Sequence, residues 1–324
     1  MHLWRSLEEV PADLGPTAVV IGNFDGVHLG HRRVLDRARE VADRDGLVLV
    51  AVTFDPHPMA VLRPEHAPTT LTSLETRAAL LREAGADEVL ALPFDRAVAA
   101  WEPEEFVDRV LVEPLHAAAV VVGANFRFGR KASGDVPTLQ SLGAARGFTA
   151  DGIELDGGPQ VWSSTYVRTC LAAGDVAGAA QALGRPHAVR GTVVRGDRRG
   201  RELGYPTANV PADSRTAVPA DGVYAGWLVR MDTGERLPAA ISVGTNPTFA
   251  GERERRVESF VLDAPADPNR LDLYDVEVEV RFVDHLRGMA AFDDVEALVA
   301  QMADDVAAAR AVLGLSSATS PSGD

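Results

Sequence analysis

The sequence predicts two domains. The first half reads as a doubly wound α/β sheet with parallel strands, and the second as an antiparallel β structure, either a barrel or a sandwich. Three observations carry this. The chain has 324 residues, more than one hydrophobic core usually serves. In the first half, short apolar runs alternate with charged segments of helical period. After residue 189, β-type runs follow one another closely, with Gly and Pro between them.

Taken in order, the strands of the first half are expected at 17–21 (TAVVI), 47–54 (LVLVAVTF), 88–92 (EVLAL) and 118–122 (AAVVV). Helices are expected at 31–44, 73–84, 103–112 and 136–146. Strand–helix alternation predicts a parallel sheet covered on both faces. In such sheets ligands sit beyond the carboxyl ends of the strands. Three polar or glycine-rich loops fall there: GNFDGVHLGH (22–31), DPHP (55–58) and GANFRFGRKASG (123–134). WSSTYVRTCLAAGD (162–175) reads as a short helix capped by Ser163 or Ser164. A second short helix covers 175–183, and GRPHAV (184–189) reads as a linker. The domains are therefore expected at 1–184 and 185–315, with a disordered tail over 316–324 (SSATSPSGD).

In the second half, β-runs are expected at 189–195, 222–230, 238–243, 256–262 and 275–283. In the last, Val276, Val278, Val280 and Phe282 alternate with Glu277, Glu279 and Arg281, giving one buried and one wet face. SVGTNPTF (242–249) reads as turn-rich. Residues 292–312 form an amphipathic helix whose Leu298, Met302 and Val306 pack on the β domain.

Composition excludes several classes. The net charge of −15 argues against a general nucleic-acid binder, which needs a basic face. No stretch of 18 apolar residues exists to span a membrane. The start, MHLWRSLEEVPADL, lacks the basic and apolar regions of a signal peptide. Cys170 is the single cysteine, so an internal disulfide is excluded and a cytoplasmic location is expected. The signatures G-x-x-x-x-G-K-[ST], G-x-S-x-G and H-E-x-x-H are absent.

The stretch 22–31 joins a buried strand to a helix start through Gly22, Gly26 and Gly30. A helix N-terminus offers unpaired N–H groups and the positive end of a dipole, which suits phosphate. His28 and His31, if both lie on the first helical turn, point the same way and hold one anion between them. In the second half, GDRRGRELG (196–204) reads as a cationic, glycine-rich flap able to cover a triphosphate. The PTAN that follows brings Thr207 and Asn209, hard oxygen donors suited to Mg²⁺. Glu258 in RVESFVLD shares a strand face with Phe260 and Leu262. A carboxylate on an apolar face lines a pocket and becomes a better base as burial raises its pKa, unless it is an edge-strand residue facing water.

Together, GNFDGVHLGH, TFDPHP (53–58), GANFRFG (123–129), SSTYVR (163–168), GRELGYPTAN (200–209), SVGTNPTF and VESFVLD closely resemble the bacterial bifunctional riboflavin kinase/FAD synthetase family. The resemblance runs in order over residues 15–312. It implies a Rossmann-like nucleotidylyltransferase domain followed by a six-stranded riboflavin kinase-like barrel with a C-terminal helix. It implies two reactions with Mg²⁺: riboflavin plus ATP to FMN, then FMN plus ATP to FAD and pyrophosphate. By resemblance, His28, His31 and Arg168 are catalytic in adenylyl transfer. Gly22, Asn23, Phe24, Asp25 and Gly30 cradle ATP, with Ser163, Ser164 and Thr165 on the leaving-group side. Asn125, Asp55, His57 and Arg127 contact the flavin substrate. In the kinase, Glu258 is the base, Thr207 and Asn209 hold Mg²⁺, and Gly196, Gly200 and Gly204 cover the second ATP.

Two positions depart from the family pattern. Val161 stands where many relatives carry a basic residue, so that contact is lost or supplied by Arg127, Arg130 or Lys131. Asp275 replaces the glycine of a family turn, after an insertion at 266–270. Two other readings compete. One keeps only the adenylyltransferase active, with a barrel that binds flavin without turning it over. The other is a non-enzymatic flavin- or nucleotide-binding regulator. Expected partners are nucleotides and flavins, with no nucleic acid or membrane, and with self-association open.

Overall fold

The four apolar runs of the first half become adjacent strands of one sheet. The computed structural model describes residues 2–154, 162–195, 205–247, 253–262 and 273–315. The chain divides into two units, Met1–Ser164 and Thr165–Asp324.

In the first unit the order along the chain is β1 (Leu3–Trp4), β2 (Thr17–Ile21), α1 (Leu29–Asp45), β3 (Val48–Asp55), α2 (Pro58–Leu62), α3 (Leu74–Glu83), β4 (Glu88–Pro93), α4 (Pro103–Phe106), β5 (Ala117–Gly123), α5 (Val136–Arg146) and β6 (Thr149–Ile153). The sheet order is β1-β4-β3-β2-β5-β6, with parallel pairing throughout. Every residue of β2 is buried, and its alternating side chains feed two cores. Val19 and Ile21 join Phe106, Leu111 and Leu139 on one face. Ala18 and Val20 join Val34, Leu35 and Leu81 on the other. That is the two-sided burial that continuous apolar strands require.

Some details differ from expectation. The first helix starts at Leu29, two residues early, because His28 caps it. The helix expected at 103–112 is α4 followed by a π-helical turn over Val107–Val112. Strands β1 and β6 were not anticipated. The first has two residues, and the second (TADGI) carries Asp and Gly at the sheet edge.

The second unit holds α6 (Ser164–Ala172, which opens at the boundary), α7 (Val176–Leu183), β7 (Ala188–Thr192), β8 (Thr207–Ala212), β9 (Gly222–Arg230), β10 (Arg236–Pro247), β11 (Arg253–Val261), β12 (Glu277–Gly288) and α8 (Val295–Val312). Its sheet order is β7-β12-β9-β10-β11-β8, all antiparallel. A bridge between Val194 and Asn209 links the two ends, so the sheet nearly closes into a barrel rather than forming a sandwich. Tyr224, Ile241, Val243, Val257, Val280 and Phe282 fill one face. On the other, Ala309 and Val306 of α8 pack with Ala225, Ala240, Phe260 and Leu262. Leu298 and Met302 are half-buried. Arg287 of β12 clamps α8 through a two-pronged pair with Asp305, at 2.8 and 2.6 Å.

One sequence expectation changes in this unit: residues 242–247 of SVGTNPTF run in β10 rather than turning. Strand β8, which begins at Thr207 of PTAN, was not anticipated. Asp275, standing where the family carries glycine, adopts the left-handed backbone (φ 62°) that a glycine would take without strain. The disorder expected over 316–324 and the insertion at 266–270 lie outside the described residues, as do Val161, Gly196, Gly200 and Gly204.

Candidate functional site

Two groups of residues stand out, one in each unit. In the first, β2 lies between β3 and β5, and the segments leaving those three strands are 22–28, 56–57 and 124–135. The chain goes from β2 to β3 on one side and reaches β5 on the other. A doubly wound sheet opens its ligand crevice at such a switch point.

The 22–28 loop is held by its own buried carboxylate. Asp25 is 1% exposed and accepts from the Leu71 N–H at 2.9 and 3.0 Å and from the Thr72 N–H at 3.2 Å. The Ser164 hydroxyl donates to the Asp25 carbonyl at 2.8 Å. These bonds fix a loop in which Phe24 (φ 48°) and Val27 (φ 42°) take left-handed conformations. Such backbone is costly for non-glycine residues, above all a β-branched one, and persists where surroundings over-determine it.

His28 and His31 do not both sit on the first helical turn. His28 is the N-cap of α1, and its Nδ1 accepts from the His31 backbone N–H at 3.3 Å. That bond requires an unprotonated Nδ1, so the neutral ring carries its proton on Nε2. The two rings stack at 3.6 Å, with Phe24 edge-on to His31 at 5.2 Å. Space is tight at Gly30, where a Cβ would meet the His28 ring at 3.0 Å and the Trp162 carbonyl at 3.1 Å. His31 Nδ1 is sealed from solvent and has no partner among the described residues. Burial first, then the nearby His28 and Arg77, hold the His31 pKa well below the ordinary imidazole value.

The other predicted residues of this unit lie on the flanking loops. Asp55 is exposed, just before a cis peptide bond to Pro56. His57 caps α2, its Nδ1 accepting from the Met59 N–H at 3.1 Å. Asn125 and Arg127 are exposed on the loop after β5, where Arg127 donates to the Phe126 carbonyl at 3.0 Å. Gly22 and Asn23 open the cradle, and Ser163 directly precedes α6. Thr165 and Arg168 follow on α6, past the unit boundary.

Sequence reasoning missed Arg77. It is 3% exposed, and its Nη1 donates to Thr53 Oγ1 at 3.2 Å and to the Phe54 carbonyl at 3.1 Å. Its signal was its position. Leu74, Arg77, Ala78 and Leu81 share the inward face of α3, and an arginine there is out of pattern.

In the second unit the group sits on paired strands. Glu258 of β11 lies opposite Asn209 of β8 on one side and Ser242 of β10 on the other. Phe260 lies opposite Thr207. Thr207, Asn209, Glu258 and Phe260 therefore share the barrel face that α8 partly covers. Asn209 is 6% exposed, and its Nδ2 donates to the Thr207 carbonyl at 3.2 Å and hydroxyl at 3.3 Å. The Tyr205 ring approaches Phe260 at 5.0 Å. The alternative reading of Glu258 as a water-facing edge residue does not hold. Strand β11 is paired on both sides and Glu258 is half-buried.

Comparison with known proteins adds two family matches. Residues 10–165 match the family model for FAD synthetase, and residues 183–313 that for riboflavin kinase. A Pseudomonas fluorescens bifunctional riboflavin kinase/FMN adenylyltransferase is 40% identical over 96% of this chain and 98% of its own. An Escherichia coli K12 protein of the same description is 38% identical over 92% and 93%. A Streptococcus pneumoniae crystal structure described as a macrolide-efflux protein has the same fold. Its TM-score is 0.83 at 30% identity, covering 95% of this chain and 98% of that one. Among the described residues, no helix of this chain is long and apolar enough to cross a membrane.

Proposed function

The chain belongs to the bifunctional riboflavin kinase/FMN adenylyltransferase family, and from that premise we propose how its residues divide the two reactions. The enzyme phosphorylates riboflavin with ATP to FMN and adenylylates FMN with ATP to FAD and pyrophosphate. We set the adenylyltransferase at 1–184 and the kinase at 185–315. The observation that carries the division is chemical. In the second unit the Glu258 carboxylate lies across strands from the Asn209 amide, which is itself hydrogen-bonded to the Thr207 hydroxyl, whereas the cradle of the first unit presents glycines and the stacked His28 and His31 rings.

In adenylyl transfer an FMN phosphate oxygen attacks the α-phosphorus of ATP, and pyrophosphate leaves. The nucleophile is already anionic, so positioning and charge stabilisation suffice. His28 donates from Nε2 to a phosphate oxygen, and His31 works beside it as a neutral ring. Gly22, Asn23, Phe24 and Gly30 line the ATP cradle. Asp25 acts through its backbone, because its carboxylate is engaged with Leu71 and Thr72. Asn125, Asp55, His57 and Arg127 receive the flavin substrate. Ser163, Ser164, Thr165 and Arg168 act on the pyrophosphate side.

In the kinase, Glu258 accepts the proton of the ribityl hydroxyl as its oxygen attacks the γ-phosphorus and ADP leaves. Thr207 and Asn209 suit Mg²⁺. Donation from the Asn209 amide nitrogen to Thr207 leaves the amide oxygen as an acceptor, a hard ligand for a hard cation. When bound, the ion offsets charge on the transferring phosphates. Gly196, Gly200 and Gly204 are assigned to cover that ATP. The ligands are small molecules, neither nucleic acid nor membrane is a partner, and the cytoplasm is the compartment where both substrates meet the enzyme.

The experiment is to incubate the protein with riboflavin, ATP and Mg²⁺ and resolve the flavins by chromatography. FMN and FAD should both form. FAD from supplied FMN, without FMN from riboflavin, would select the monofunctional reading. Turnover of neither flavin would leave only a binding protein.

A further inference from the structure

Arg77 belongs to none of the sequence motifs, yet it joins two loops of the adenylyl-transfer site. Its Nη1 holds the end of β3 at Thr53 and Phe54. The Thr53 hydroxyl passes the link on, donating to the Asn23 carbonyl at 2.9 Å. The start of the same segment is tied to the same loop in the opposite sense, since Leu71 and Thr72 donate to Asp25. The cradle is therefore fastened at both its second and fourth residues to residues 71–77.

The guanidinium itself is under-compensated. Its Nε–H is buried with no hydrogen-bond partner among the described residues. Burial disfavours its charge, and the nearby charges of Asp25 and Asp55 offset that only in part. A buried cation with neutral partners is an expensive arrangement. Its cost is borne at a residue that ties the end of β3 to the cradle.

We propose that Arg77 is a positioning residue for adenylyl transfer, setting the Thr53–Asn23 edge of the cradle and supplying a fixed positive charge within electrostatic reach of His31. This rests on reading 22–31 as the adenylyl-transfer site. Arg77 touches no substrate. It acts through Thr53 and through its field. His31 feels His28 from the start of α1 and Arg77 from α3, while Asp25 and Asp55 face Arg77 itself.

The test compares Arg77→Met and Arg77→Lys with the parent enzyme and with His28→Ala. Initial rates of FAD formation from FMN and ATP are measured from pH 5 to 9. Riboflavin phosphorylation is the internal control, and thermal unfolding is followed without ligand. Arg77→Met should lower kcat for FAD formation on the order of 10²-fold, leave phosphorylation unchanged, and unfold no earlier than the parent. Its residual activity should show an acid limb moved to higher pH, because His31 protonates more readily without the neighbouring cation. Arg77→Lys should recover most of the rate. Parent-like kcat in Arg77→Met, with His28→Ala inactive, would overturn the proposal alone. A loss in Arg77→Met that follows early unfolding, with no shift of the acid limb and no recovery in Arg77→Lys, would overturn it too. Full FAD formation by His28→Ala would instead remove the site reading on which it rests.

Discussion

The two sites solve different problems with different backbone. The proposed adenylyl-transfer site gathers its groups on three loops at one end of the sheet, and the buried Asp25 and Arg77 tie down the 22–28 loop and the end of β3. The proposed kinase site places its groups on neighbouring strands, where cross-strand register already fixes which residues face each other. The first reaction starts from a phosphate anion and the second from a neutral hydroxyl. What differs chemically is one proton, and Glu258 is the residue assigned to it. Loops suit a site whose work is enclosing phosphate. A rigid ladder suits a base that must meet one hydroxyl.

The sharpest way to break this contrast is Glu258→Gln. It should lower FMN formation from riboflavin by about 10²–10⁴-fold while FAD formation from supplied FMN keeps its parent rate. Next in size is His28→Ala. Loss of a preorganised donor to the reacting phosphates should cost FAD formation about 10²–10³-fold, with phosphorylation of riboflavin intact. Each variant is read by chromatography of the two flavins, and equal loss of both activities in either one would erase the distinction.

Asp25→Ala tests the claim that the first site needs a clamp. The Leu71 N–H would be left buried without its acceptor, a loss of about 1–3 kcal/mol confined to the first unit. Chemical denaturation of the variant should show the first unit unfolding at lower denaturant. An unchanged midpoint would mean that the loop holds itself.

The smallest effect concerns pH. The His31 pKa is depressed in the folded protein, mainly by burial. The unfolded chain therefore binds the extra proton first as pH falls. Stability from this group is complete above the ordinary imidazole pKa of about 6.5. It is lost below that value at up to about 1.4 kcal/mol per pH unit. Calorimetry between pH 7.5 and 5.5 should show a steeper decline for the parent than for His31→Asn. Identical slopes would mean that this ring does not titrate differently on folding.

Much of this was legible because the chemistry left its mark on local sequence. Apolar runs such as TAVVI and LVLVAVTF became central strands, and the glycines and histidines of GNFDGVHLGH marked the strand-to-helix turn. Glu258 was out of pattern on an apolar strand face, and its half-burial on a strand paired on both sides decides against the water-facing alternative. What stayed hidden depended on distant partners. β6 contains Asp151 and Gly152 and forms because β5 offers it an edge. No strand was expected at 207–212, because Thr207 and Asn209 read only as polar donors, yet both lie on a paired strand. The capping role of His28 could not be separated from a place on the first turn without the backbone angles. Arg77 was one basic residue among the 32 lysines and arginines of the chain, and only burial sets it apart.

The most direct test of two separate sites is to mix the two inactivated proteins. Glu258→Gln alone should make FAD from riboflavin only at the rate of its crippled phosphorylation, and His28→Ala alone should accumulate FMN. Supplied together with riboflavin, ATP and Mg²⁺, they should form FAD, because FMN released by one is adenylylated by the other. If the mixture accumulates FMN without FAD while Glu258→Gln still converts added FMN, the product does not pass between independent sites. If Glu258→Gln makes FMN at the parent rate, the base has been misassigned.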